Sequence, residues 1–118
     1  MRPLSDLLTE AHLRYNRPVA LTETSHPGVD RPLWISHITE EVCKVLRDGI
    51  PMWGICLYPI IDRPDWDNLN DWHHSGLWDI NPEVSMSTRI LHEPSADALI
   101  KAQMETDLAL CQTGVYLP

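Results

Sequence analysis

Basic residues are scarce and scattered. Nine Lys and Arg stand against 17 Asp and Glu, a formal net charge of −8 over 118 residues. Arg2, Arg14, Arg17, Arg31 and Lys44 are spread through the first half and form no block. Nucleic-acid binders need a basic face to meet phosphate, so no nucleic-acid partner is expected. Acidity alone speaks for solubility rather than for a particular activity. Long apolar runs are also missing. No stretch approaches the roughly 18 apolar residues of a membrane span, and Met1-Arg2-Pro3-Leu4-Ser5-Asp6 has no apolar signal core. A soluble, cytoplasmic protein without a membrane partner is expected. Cysteines are few: Cys43, Cys56 and Cys111, an odd number with no CxxC. That excludes a disulfide framework and a zinc knuckle. Cys56 in an apolar run and Cys43 on a helical stretch read as small buried residues, and no evident base activates a cysteine nucleophile. There is no internal repeat and no low-complexity tract.

The remaining pattern alternates helix and strand. Pro3 to Asn16 predicts a helix, with Leu4, Leu7, Leu8, Ala11 and Tyr15 on one face and Ser5 as its cap. Arg17-Pro18 stops it, because the residue before proline avoids helical angles. Val19 to Thr24 predicts a fully buried parallel strand, bounded by Pro18 and Pro27-Gly28, and Ser25 to Val29 a loop. Asp30 to Asp48 predicts a crossover helix capped by Asp30, with Pro32 near its start. Its apolar stripe is Leu33, Trp34, Ile38, Val42, Val45 and Leu46, and Gly49 ends it. Pro51 to Ile61 predicts a second strand. Asp62 to Ile80 predicts a long loop rich in Trp, Asp and His, and loops of that length are often functional. Asn81 to Glu93 is ambiguous and leaves room for a short extended piece. Ser95 to Gln112 predicts another helix, capped by Ser95 and broken by Gly114.

Two segments combine into a strand–helix–strand unit with polar residues at both strand ends, where α/β proteins place their active sites. One is Val19-Ala20-Leu21-Thr22-Glu23-Thr24-Ser25. The other is Gly54-Ile55-Cys56-Leu57-Tyr58-Pro59-Ile60-Ile61-Asp62-Arg63-Pro64-Asp65-Trp66. Thr22 to Ser25 resembles the Thr-Glu-Asn-Gly segment of family 1 glycoside hydrolases, the β-glucosidase family. Tyr58 to Trp66 resembles, without a gap, that family's Trp-Ser-Leu-Leu-Asp-Asn-Phe-Glu-Trp segment. The resemblance covers roughly residues 17 to 79.

The resemblance implies an α/β chain carrying part of a (β/α)8 TIM barrel, its seventh and eighth strands. A complete barrel needs about 250 residues, so this chain is expected to be a C-terminal portion. It reads as a single partial-barrel domain: a helix over 1–16, a β-α-β core with the active-site loop over 17–80, and a helix and tail over 81–118. Two such strands leave open edges, so self-association or an upstream barrel half is expected to cover them.

The resemblance also implies roles. Glu23 matches the nucleophile of a retaining β-glycosidase, which uses two carboxyl groups about 5–5.5 Å apart. On its own Glu23 reads as an ordinary polar residue at a strand end. The second segment, in register with it, shifts the reading to chemistry. Tyr58 matches a tryptophan platform under the sugar ring, or else fills the barrel as a packing aromatic; Tyr leaves a smaller platform. Asp65 and Trp66 match a Glu-Trp pair that bonds the outer hydroxyls, while Asp62, Asp65 and Asp67 read equally as residues that solvate a loop. Arg63 is expected to pair with Asp62 or Asp65. Trp72, His73, His74 and Trp78 are candidates for the mouth of a sugar pocket, and His26 reads as a loop residue. No cofactor and no metal is expected, since adjacent His73 and His74 rarely chelate together.

The family's acid/base sits in an Asn-Glu pair upstream of the nucleophile, and no Asn-Glu occurs here. His92-Glu93-Pro94 lies downstream, and Glu93 reads as a helix-start residue. The chain is therefore expected to be inactive alone. The alternatives are a non-catalytic carbohydrate-binding remnant and an interaction module that needs a partner chain.

Overall fold

The computed structural model describes residues 1–113. Its elements run α1 (Leu4–Tyr15), β1 (Val19–Thr24), α2 (Arg31–Arg47), β2 (Met52–Leu57), β3 (Trp78–Asn81), β4 (Ser85–Leu91) and α3 (Glu93–Thr113). β1 and β2 pair in parallel, with Val19 opposite Met52 and Thr24 opposite Leu57. β3 and β4 form a separate antiparallel hairpin. This is an α/β segment of a partial barrel, and the two-stranded sheet is not closed.

α2 is the centre of the packing. Its Val42, Cys43, Val45 and Leu46 join Leu8, Ile50, Met52 and Ala109 in one core. Each buried Val, Leu, Ile or Met among them contributes about 1.5–3 kcal/mol. The helix stops as expected, with Gly49 at φ 79°, a left-handed conformation that glycine adopts freely. The radius of gyration is 16.2 Å, against about 13.5 Å for a compact domain of this length. The parallel sheet stops at two strands among the described residues, so its edges are open.

That openness accounts for several departures from expectation. β1 is not fully buried: Ala20, Thr22 and Glu23 are exposed. Cys56 is exposed rather than buried, because among the described residues its strand has no neighbour beyond it in its sheet. Trp53 on the same strand is 58 % exposed. Leu7, Tyr15 and Leu33 are also exposed, so the apolar stripes of α1 and α2 are narrower than their sequences indicate.

The caps differ as well. Ser5 does not cap α1, whose N-cap is Pro3. Its amide and hydroxyl instead donate to the buried Glu41 carboxylate at 2.9 and 2.7 Å. Asp30 makes no side-chain cap bond. Ser95 lies inside α3, which starts at Glu93, and its hydroxyl meets the His92 ring at 2.7 Å. β2 ends at Leu57, short of Ile61. The region after it contains the β3–β4 hairpin, so Asp62 to Ile80 is not loop throughout, and Asn81 to Glu93 is mostly strand. The expected helix break at Gly114 lies outside the described residues.

Candidate active site

Glu23 and Tyr58 stand at neighbouring strand ends. The Tyr58 amide donates to the Thr24 carbonyl at 3.1 Å, one ladder step beyond the Thr24–Leu57 pair. The Trp34 indole N–H, from α2, donates to Thr24 Oγ1 at 2.8 Å. The residue after Glu23 is thus tied both to the next strand and to the helix layer. Glu23 itself is exposed.

Beyond Tyr58 the chain folds into a tight loop. The Arg63 guanidinium lies 5.9 Å from the Tyr58 ring centroid and 5.3 Å from that of Trp66. Arg63 therefore joins the two aromatic candidates by cation–π contact and donates to the Pro64 carbonyl at 2.9 Å. The expected pairing of Arg63 with Asp62 or Asp65 is not formed: among the described residues its side chain goes to these rings. Trp66 is 77 % exposed and Tyr58 is 40 % exposed, so both offer open faces.

Asp65 is turned into its own loop. One oxygen accepts the amides of Asp67 and Asn68 at 2.7 and 3.1 Å, and the other meets His73 Nε2 at 2.8 Å. The Asp67 amide, then His73, holds the Asp65 carboxyl below the usual carboxylate range. It stays ionised but is not free to grip a ligand in this arrangement.

A network not legible in the sequence holds this loop to the barrel segment. Arg31, 5 % exposed, donates to the carbonyls of Gly28 and Gly76 at 2.7 and 2.6 Å. It also forks onto both Asp79 oxygens at 2.8 and 3.1 Å. Asp62 is buried and accepts the Ser75 amide at 3.2 Å. The Gly28 amide donates to the His74 carbonyl at 2.9 Å. The only local hint was the acidic–aromatic composition of the loop, since Arg31 and Asp79 are 48 residues apart.

His73 and His74 turn to different carboxylates: His73 to Asp65, and His74 to Asp62 and Asp79. His26 contacts its neighbour's carbonyl at 2.9 Å and the Trp34 ring at 5.5 Å. Trp78 is absorbed into β3. Glu93 opens α3 as expected. An apolar cavity of about 240 Å³ lies between α2, β2 and α3, lined by Trp34, Ile38, Val42, Leu57, Leu99 and Ala102 among others. Glu23, Tyr58, Asp65 and Trp66 do not line it. No helix among the described residues is long and apolar enough to cross a membrane.

The fold is that of a segment of a TIM-barrel glycosidase. Solved structures that it resembles include β-glucosidases and β-glycosidases. The β-glucosidase of Thermotoga maritima, in complex with glucoimidazole, superposes with a TM-score of 0.69 at 15 % identity over 83 % of this chain and 25 % of that one. The β-glycosidase of Pyrococcus horikoshii gives a TM-score of 0.69 at 21 % identity, over 95 % and 27 %. The β-glycosidase of Thermosphaera aggregans gives 0.64 at 25 % identity, over 93 % and 23 %. The chain thus spans about a quarter of the length of these enzymes. No protein-family model matches it, and a search of curated proteins finds no match.

Proposed function

We propose that this chain is the nucleophile-bearing C-terminal portion of a retaining β-glycosidase, folded as one partial-barrel unit. Glu23 is the nucleophile. Tyr58 carries the sugar ring on its face, and Trp66 meets the outer hydroxyls, joined by Asp65 once the sugar displaces His73 from its carboxylate. The observation that carries the proposal is the placement of Glu23 and Tyr58 at adjacent C-terminal strand ends, with Trp66 linked to Tyr58 through Arg63. The resemblance of the fold to β-glucosidases supports it.

The reaction divides into two displacements. Glu23 attacks the anomeric carbon, the leaving oxygen takes a proton from an acid/base carboxyl, and water then releases the sugar from Glu23. No Asn-Glu pair is present, so the acid/base comes from another segment or another chain. The isolated chain binds a carbohydrate without turning it over. The free Cys56 and Cys111 thiols, both exposed, suit a reducing cytoplasm.

An interaction module is the second reading, favoured by the exposed Trp53, Tyr58 and Ile60 around the open strands. Both readings meet if the partner supplies barrel strands. The coding sequence immediately upstream of Met1 tests this. An open frame encoding strand–helix units, with Asn-Glu at a strand end, is expected. A closed frame, with no neighbouring gene encoding such units, overturns the proposal of a divided enzyme.

A further inference from the structure

We propose that Asp62, His74 and Asp79 form a binding site for a divalent cation of the zinc type, distinct from the sugar-binding residues. One ligand atom from each lies within 4.8 Å of the others. His74 Nδ1 is 3.2 Å from Asp62 Oδ2 and 3.8 Å from Asp79 Oδ1. Zinc binds imidazole nitrogen and carboxylate oxygen at about 2.0–2.2 Å in a tetrahedral array, which sets ligand atoms roughly 3.3 Å apart. The two separations from His74 bracket that spacing.

The second observation is Asp62 Oδ2 itself. The Asp62 side chain is fully buried, and its other oxygen is satisfied by the Ser75 amide. Among the described residues, however, Oδ2 has no hydrogen-bond partner. His74 Nδ1 is near it, but off the line that a hydrogen bond needs. A buried carboxylate oxygen without a donor is costly. A cation between Oδ2 and Nδ1 satisfies both atoms at their present spacing.

The surroundings fit a metal of this class. Arg31 forks onto both Asp79 oxygens, including the Oδ1 that faces His74, as outer partners commonly orient a ligating carboxylate. Its positive charge also tempers affinity, so the site is a moderate binder. His74 is half exposed and leaves an open position for water. One imidazole with two carboxylates suits zinc better than magnesium, which prefers oxygen ligands and octahedral geometry. His73 takes no part, since its ring is committed to Asp65.

Calorimetric titration of the whole chain with zinc chloride tests the site, with thermal melts as a second readout. One equivalent bound and a raised melting temperature are expected. His74→Gln, at a half-exposed position that leaves the core intact, weakens binding at least about tenfold, since even outer partners of a metal contribute that much. Asp62→Asn does the same, His73→Gln binds as wild type, and magnesium gives no comparable heat. No saturable zinc binding, or binding unchanged in His74→Gln, overturns the proposal. So does loss of binding in His73→Gln, which places the ion at Asp65.

Discussion

The amide of Tyr58 donates to the carbonyl of Thr24 at 3.1 Å, and this bond aligns the strand end bearing Glu23 with the one bearing Tyr58. The indole of Trp34 fixes the same threonine from the helix side at 2.8 Å. The geometry of the candidate active site therefore depends on Thr24, a residue with no chemical role of its own. Trp34→Phe keeps the aromatic packing and removes the donor. It should lower stability by about 1 kcal/mol, read by urea unfolding, and weaken sugar binding by loosening Thr24. Unchanged stability would show that the indole bond contributes nothing.

Gly76 has no room for a side chain. A Cβ there would lie 2.5 Å from the Asp62 amide nitrogen and 2.9 Å from the Ile61 carbonyl carbon. Both are backbone atoms that cannot swing aside. Gly76→Ala should cost about 1–3 kcal/mol by forcing the two segments apart. Denaturant titration checks this, and a variant as stable as the parent would refute the close approach.

Glu41 makes stability depend on acid. Its carboxylate is buried, and Lys44 first, then the amide and hydroxyl of Ser5, lower its pKa from 4.5 to about 2. A carboxyl with a depressed folded pKa stabilises fully above its unfolded value and loses that contribution as pH falls through the folded one. The melting temperature should therefore fall between about pH 5 and pH 2. Glu41→Gln should lose about 1–3 kcal/mol near neutrality and flatten part of that acid slope. An equal slope in the variant would rule out Glu41 as its source.

Arg31 bridges the strand–helix unit and the hairpin. Arg31→Ala strands the partly buried Asp79 carboxylate and removes the donor to two carbonyls. A loss of about 3–5 kcal/mol is expected. Arg31→Lys should rescue little, since an ammonium cannot fork onto both oxygens. Full rescue by lysine would mean that only charge matters there.

The elements legible in the sequence were those with a strong apolar period. α1, β1, α2, β2 and α3 lie within a few residues of their expected places, and Leu8, Val42, Val45 and Leu46 mark the buried faces of α1 and α2. The hairpin was not legible. β3 has four residues, and β4 is Ser-Met-Ser-Thr-Arg-Ile-Leu with five of its seven residues exposed. Its one local signal was Asn81-Pro82 between two short β-favouring runs. Glu23, Tyr58 and Trp66 were singled out by motif, and the neighbouring strand ends that carry Glu23 and Tyr58 follow from parallel pairing. The capture of Asp65 by His73, the stacking of Arg63 and the Arg31–Asp79 fork depend on how the loop closes, which a linear pattern does not encode.

The open sheet bears on assembly. With Trp53 and Ile60 more than half exposed, sedimentation velocity should show concentration-dependent self-association. A monomer at all concentrations would contradict a need for a covering partner.

Glu23 as nucleophile is tested most directly by covalent trapping with a 2-deoxy-2-fluoro-β-glycosyl fluoride. Fluoride departs without a proton, so trapping does not require an acid/base carboxyl. The predicted result is one glycosyl adduct per chain, mapped by peptide mass to Glu23 and absent in Glu23→Gln. No adduct, or an adduct on another carboxylate such as Asp62 or Asp65, would contradict the assignment.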